Sequence, residues 1–388
     1  LLRRAGLKTI TFSPFAERHS AWHWYSGFAE IHDTGRHGHE IADDVTPGVL
    51  DWLGRNAAHD NWFLHVNYWD AHTPYRTPPE FGEPFADEPL PDNWMTEGLI
   101  ADHVARPGTR SALDAIALRH KGEFPRCPAT IESLQDFRQL IDGYDTGILY
   151  ADTHIGRILD RLDSCGVLED TAIIVSADHG DALGELNAYG GHCFADYYTT
   201  RVPLIIRWPG VTDSMQGHHD TALRHQFDMA ATVCELMRAP LPDVWDAQSF
   251  AALFRGEASS GRDYLVCSQL AQACQRSVRF RKDDEDYFLT RTYRDAFYFL
   301  DKTMLFELHG DPHQLSDLSS ERPEIVKEGL GMLDSWRDAM LANSPNPDPI
   351  EKVLEETPEN PSPPYVQRLR ETGRGDWAHR LAKREGLA

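Results

Sequence analysis

The sequence is poor in basic residues for its size and has no long apolar run. Lys and Arg number 38 in 388 residues against 61 Asp and Glu, a formal net charge of −23. A surface of that sign repels phosphate backbones and anionic lipid, so nucleic acid and membrane surfaces are poor partners. It does not exclude an anionic small molecule, because a bound cation or a His cluster reverses the field inside a pocket. No run of about 18 apolar residues occurs, so no membrane-spanning helix is read in the chain. The six cysteines, Cys127, Cys165, Cys193, Cys234, Cys267 and Cys274, contain no Cys-x-x-Cys pair. That spacing argues against a zinc knuckle and a dense disulfide framework. The chain also opens Leu1-Leu2-Arg3-Arg4, without an initiator Met or a signal peptide, and reads as an internal starting point.

What is present is ample for a core. With 41% hydrophobic residues, the chain suits one large domain and a smaller appended one. Its organising stretch runs from Thr171 to Pro209. Ala172 to Val175 is short, apolar and β-branched, which predicts a strand buried on both faces. The strand delivers Asp178-His179-Gly180-Asp181 to the loop beyond its carboxyl end, the edge where α/β sheets collect ligands. A carboxylate beside an imidazole suits a divalent cation, and Gly180 lets the backbone turn away. Gly190-Gly191-His192 and a second strand, Val202 to Arg207, follow.

Two earlier strands end in a similar way. Lys8 to Phe12 leads to Arg18-His19 and the aromatic cluster Trp22 to Tyr25. Trp62 to Trp69 leads to Asp70-Ala71-His72-Thr73-Pro74-Tyr75. One His past a strand is most often structural; three strand ends that each deliver one predict imidazoles converging on a crevice if the strands are neighbours. Between the strands, Glu40 to Asn56 and Leu134 to Cys165 have helical periodicity, the latter as one long helix or a broken pair. Helix followed by strand is half of a βαβ unit, so the expected fold is α/β, a mainly parallel sheet sandwiched by helices.

Gln226 to Met237 predicts another helix. Beyond a composition shift near Gly256, Ser277 to Phe280, Asp286 to Tyr293, Phe297 to Leu300 and Thr303 to Leu308 predict short antiparallel strands, and Pro323 to Met340 a helix. The expected division is an α/β domain over 1–255, a C-terminal α+β subdomain over 256–342, and a Pro/Glu-rich tail over 343–388, extended or loosely docked.

Four segments, in order, carry a resemblance: Trp69 to Tyr75; Tyr150 to Asp160 with Ser176 to Asp181; Thr200 to Ile206; and Leu305 to Leu308 with Asp311-Pro312. With them the chain resembles a type I sulfatase of the alkaline phosphatase superfamily over nearly its whole length to about Leu341. The resemblance implies an alkaline-phosphatase-like fold and a metal-dependent hydrolase of sulfate monoesters, acting on a sulfated carbohydrate or small sulfate ester. It implies that Asp178 and His179 bind a divalent cation, calcium before magnesium or manganese. It implies that His72 contacts the sulfate or the leaving-group side, and that His192 lies near the sulfate, Gly191 standing where relatives often have Lys. The family's Lys-x-His element has no clean match here; Arg18 and His19 are the first choice for its role, as substrate-binding and catalytic groups, with Trp22-His23 the alternative.

The family's nucleophile is a formylglycine made in a Cys-x-Pro-x-Arg motif after an Asp-Asp pair. No Cys here lies in that motif, and Asp43-Asp44 and Asp283-Asp284 fall in a helix and a turn. The expectation is a chain that lacks the N-terminal part of the catalytic domain, with the formylglycine in the missing segment and little activity of its own. Resemblance favours a periplasmic or secreted parent protein. Two other readings stand beside it: a phosphodiesterase or phosphonate monoester hydrolase of the same superfamily, and a catalytically inactive glycan-binding homologue.

Overall fold

The computed structural model describes residues 1–90, 94–110, 124–257, 260–270, 273–342, 344–356 and 363–384. The chain forms two compact units interleaved in sequence: Leu1–Glu88 with Asp142–Ser176 and Pro203–Arg262, and Pro89–Ile141 with Ala177–Val202 and Asp263–Ala388. Among the described residues no helix is long and apolar enough to cross a membrane.

The first unit is built on a parallel sheet of three strands, ordered β2 (Glu30–His32), β1 (Lys8–Phe12) and β3 (Trp62–Val66). Parallel neighbours need a long crossover, and the helix α1 (Ala42–Asn56) supplies it between β2 and β3. Its face of Val45, Val49, Trp52 and Leu53 packs on Ile10 and Phe12 of β1, joined by Ile158, Leu159 and Leu162 from α2 (Leu134–Ser164). The expected long helix is therefore continuous, 31 residues without a break.

The organising strand departs from expectation. β4 (Ile173–Ser176) pairs antiparallel with β7 (Leu204–Arg207), in a ribbon of two strands separate from the parallel sheet. It is not buried on both faces: Ile174 is 36% exposed, and on β7 Leu204 and Ile205 are 40% and 63% exposed. An apolar run reports the tendency to be covered, whereas burial depends on which elements pack there.

In the second unit the antiparallel sheet has the order β11-β10-β9-β8: Thr303–Glu307, Glu285–Arg294, Cys274–Lys282 and Tyr264–Gln269. The helix α3 (Pro323–Leu341) covers it with Ile325 and Leu333. A Cβ on Gly329 would lie 3.0 Å from Leu289 and 3.1 Å from Phe280, so glycine sets how closely the helix approaches. Phe297 to Leu300 is not a strand. Ala296 and Phe299 take φ of +54° and +55°, which breaks extension and turns the Tyr298 ring inward against Phe194.

The tail is neither extended nor loosely docked where it is described. α4 (Pro349–Glu356), α5 (Pro363–Glu371) and α6 (Gly375–Arg384) are helices. Tyr365, Leu369, Ala378 and Leu381 form a buried cluster with Phe297 and Phe299 alongside. Asp348, just before α4, makes a buried two-bond pair with Arg276 of β9 at 2.8 and 2.9 Å.

Candidate active site

β1 and β3 are adjacent and parallel, so the segments after their carboxyl ends fall on one edge of the sheet. After β1, a single helical turn, Phe15–Arg18, presents Arg18 and His19. After β3, Trp69 and Asp70 are buried and His72 is half-buried. Trp69 is the shared floor: the His72 ring lies 5.5 Å from it edge-on, the His19 ring 6.0 Å away, and the Arg18 guanidinium 4.3 Å over its face. Three of the expected site residues, Arg18, His19 and His72, thus come together within the first unit. The alternative, His23, sits exposed on a 3-10 turn, Trp22–Tyr25, that buries no side chain.

The local chemistry orients each group. His72 Nδ1 donates to the Thr73 carbonyl at 2.7 Å, which leaves Nε2 as the atom that takes or gives a proton. Arg18 Nη1 donates to the Gly38 carbonyl at 2.7 Å, and burial lowers the Arg18 pKa against the pull of Glu40. Asp70 Oδ1 accepts from Ala42 N at the start of α1, at 3.1 Å, while Oδ2 is buried without a hydrogen-bond partner among the described residues. Burial raises the Asp70 carboxyl to about 7, with the Ala42 bond opposing. The loop is also pinned from α2, since a Cβ on Gly147 would lie 2.4 Å from the Asp70 carbonyl oxygen.

The second unit holds the remaining candidates. Asp178 is exposed and its Oδ1 accepts from His179 N at 3.1 Å. His179 Nδ1 donates to the Gly180 carbonyl at 2.9 Å, which leaves the lone pair on Nε2, 3.8 Å from Asp178 Oδ2. Gly180 N donates to the Thr199 carbonyl at 2.9 Å, and a Cβ on Gly180 would fall 2.1 Å from the Tyr198 carbonyl oxygen. Gly180 is thus needed for close approach. That neighbouring turn is held in turn by Asp196, which accepts from the backbone N–H of Tyr198 and Thr199, and burial raises its pKa to about 6.

The hairpin of β5 (Ala182–Leu183) and β6 (Tyr189–Gly191) brings in His192. Its register pairs Ala182 with Gly191, so Asp181 and His192 face each other from the flanking positions. His192 Nδ1 lies 3.8 Å from Asp181 Oδ1, and the His192 and His179 rings stack at 3.9 Å. Asp181 was not singled out in the sequence. Its Oδ1 is buried and has no hydrogen-bond partner among the described residues, an uncommon state for a carboxylate. The signal that could have found it is the hairpin register, which periodicity alone does not give. Within this unit Asp178 with His179 and Asp181 with His192 form two carboxylate–imidazole pairs, each at 3.8 Å, whose atoms are of the types a divalent cation takes.

Comparison with known proteins follows the same lines. Residues 2–239 match the Sulfatase family model. A multifunctional alkaline phosphatase superfamily protein of Trinickia caryophylli is 24% identical over 290 residues, 71% of this chain and 55% of the relative. A structure solved with its substrate D-glucosamine-2-N,6-O-disulfate superposes with a TM-score of 0.63 at 18% identity, covering 90% of this chain and 82% of that one. A phosphonate monoester hydrolase from Silicibacter pomeroyi superposes with a TM-score of 0.61 at 21% identity, covering 88% and 79%. At these identities the structural likenesses establish the alkaline-phosphatase-like α/β fold. The chain spans about half the length of the curated relatives it matches. A family model that matches well over half of the sequence places this chain in the sulfatase family, within the alkaline phosphatase superfamily.

Proposed function

We propose that the protein is a sulfuric ester hydrolase that works with a divalent cation, calcium before magnesium or manganese, on a sulfated carbohydrate or small sulfate ester. The observation that carries this reading is the pair of carboxylate–imidazole contacts, Asp178 with His179 and Asp181 with His192, in a chain of the sulfatase family. Asp178 and His179 would hold the cation, with Asp181 the next carboxylate in sequence to join them, and a bound cation would supply charge neutralisation to the anionic oxygens of the ester.

The chain's own residues supply the rest. Arg18 presents a planar fork of N–H donors to the sulfate oxygens, and it is already oriented by Gly38 and the Trp69 face. His72, whose Nδ1 is committed to the Thr73 carbonyl, carries the proton on Nε2 that passes to the departing alkoxide. No cysteine of the 388 residues lies in a Cys-x-Pro-x-Arg motif, so no nucleophile is assigned to this chain.

The test combines metal analysis and turnover of 4-nitrophenyl sulfate by the natural full-length protein. Asp178→Ala should lose calcium and activity together; calcium retained at full stoichiometry removes Asp178 from the site. His72→Ala should cut turnover by about two to four orders of magnitude with the fold intact; unchanged turnover makes it a structural His. The phosphonate monoester hydrolase neighbour keeps one other reading in view. Faster turnover of phenyl phosphonate than of phenyl sulfate would decide for it.

A further inference from the structure

Three sheltered arginines in this protein are met by carboxylate forks. Arg276 is bound by both oxygens of Asp348, Arg262 by both oxygens of Asp228, and Arg279 by both oxygens of Asp286. At these positions the fork meets the guanidinium in its own plane. Arg76 has no such fork. It lies in the loop after β3, between Tyr75 and Thr77, which are 1% and 2% exposed and hold the backbone from either side. Its Nη1 is buried without a hydrogen-bond partner, and Arg76 has no ion pair among the described residues. A charged donor left sheltered and unmet is costly, and a bound anion is one way a fold offsets that cost.

A second cation stands nearby. Arg18 is fixed by three contacts: its guanidinium lies 4.3 Å over Trp69, its Nη1 donates to Gly38 O, and its stem occupies the space a Cβ on Gly38 would fill, 2.4 Å from Cδ. Burial and the charge of Arg18 together lower the Arg76 pKa to about 10, with Glu40 and Asp70 opposing. Glu40 is no structural fork for either arginine. Its Oε1 accepts from Thr34 Oγ1 and Arg36 N, and its Oε2 is buried without a hydrogen-bond partner among the described residues. The Trp69 indole N–H is likewise buried without one, which adds a neutral donor to the same floor.

We propose that Arg76, in the loop that also carries Trp69 and His72, is a specificity position that binds a second anionic group of the substrate, a carboxylate or a further sulfate next to the hydrolysed ester. A guanidinium fork matches a planar or tetrahedral oxyanion, whereas a neutral hydroxyl brings no charge to meet it. The substrate class is then a dianion rather than a simple sulfate ester. The identity of the hydrolysed group rests on the proposed function; the binding of a second anion does not.

The experiment measures binding of phenyl sulfate and 3-carboxyphenyl sulfate to the calcium-loaded full-length protein by titration calorimetry at pH 7 and low salt, then uses the same pair as substrates. The wild type should bind the carboxylated ester at least about ten-fold more tightly. Arg76→Leu should bring the two affinities within about two-fold and raise the melting temperature, because it removes a sheltered unpaired charge; Arg76→Gln serves if the Leu variant does not fold. Arg76→Lys should keep only part of the preference, since a single ammonium cannot form the fork. Equal affinities in the wild type, or a preference that survives both neutral variants, overturn the proposal. If neither ester is turned over while the Arg76-dependent preference in binding persists, the sulfatase reading falls and the anion position stands. Turnover without any preference sinks the anion position alone.

Discussion

The two units present histidines beyond strand ends by different physical means. In the first unit the His72 loop leaves a parallel sheet with a packed apolar core, and it is tied down by buried Trp69, by Asp70 on the start of α1, and by Gly147 of α2. In the second unit the Asp178-His179 loop is tied by polar contacts: Gly180 on the Tyr197–Thr200 turn, Asp196 capping that turn, and the Asp181–His192 pairing of the hairpin. An apolar anchor tolerates sheltered cations on its rim, and there Arg18, Arg76 and His72 are found. A polar anchor brings carboxylates and imidazoles into contact, and there the proposed cation donors are found. Fold and chemistry are matched in each unit, so each can be perturbed in its own way.

The largest expected effect is on the polar anchor. Asp181→Asn removes the carboxylate charge, whose buried Oδ1 makes no hydrogen bond among the described residues, while keeping the side-chain shape. Calcium affinity should fall by about 100-fold or more, and the melting temperature should hold or rise because a buried anion has been neutralised. Calorimetric calcium titration of the natural protein and the variant checks both. Unchanged affinity would make Asp181 a hairpin residue and reduce the comparison to one of packing.

The next effect belongs to the apolar anchor and depends on pH. Burial raises Asp70 from 3.8 to about 7, so the folded protein holds this proton more tightly than the unfolded chain. The stabilising contribution is therefore fully present below about pH 4 and is lost as pH rises through about 7, a change of at most roughly 4 kcal/mol. Asp70→Asn keeps an oxygen to accept from Ala42 N and cannot ionise. The variant should match the natural protein at pH 4 and exceed it in stability by a few kcal/mol at pH 8, as read by urea unfolding at both pH values. A gap that is the same at both would show that Asp70 titrates normally.

Much of this comparison was legible in the sequence. The strands ending at Phe12 and Val66, the helices Ala42–Asn56 and Leu134–Ser164, and the His at the end of each motif follow from period and punctuation. What failed was whatever depends on a partner distant in sequence. β4 looks buried by composition, but its neighbours leave Ile174 partly in solvent. Asp181 gains its meaning from pairing across a hairpin, and Arg76 from a missing carboxylate, which no local pattern records. In the tail, Pro349 and Pro363 suggested an extended chain, yet each opens a helix, the position where proline's fixed φ is an advantage.

A matched pair of smaller changes sharpens the contrast. Gly147→Ala gains up to about 1 kcal/mol of helix propensity, but its methyl meets the Asp70 carbonyl at 2.4 Å and must push the His72 loop. Gly180→Ala meets the Tyr198 carbonyl at 2.1 Å and must push the Asp178-His179 loop. Backbone on both sides leaves little room to relax, so each should cost about 1–3 kcal/mol. Their functional signatures should differ: Gly180→Ala weakens calcium binding, whereas Gly147→Ala lowers turnover at saturating calcium. Identical signatures would mean that the two anchors are not separable.

The smallest expected effect concerns the ribbon that lacks the covering enjoyed by the parallel sheet. Ile10 of β1 is fully buried, while Ile205 of β7 is 63% exposed beside Leu204 at 40%. Exposed apolar strands invite pairing with another copy, so this ribbon, not the core, should limit solubility. Ile205→Thr keeps a β-branched residue suited to a strand while removing apolar surface. Its stability should stay within about 0.5 kcal/mol of the natural protein, because little burial is lost. Sedimentation velocity across a concentration series should show less self-association at each concentration. A substantial fall in stability instead would mean that Ile205 is covered in solution, and the contrast between a backed sheet and an open ribbon would fail at its most exposed residue.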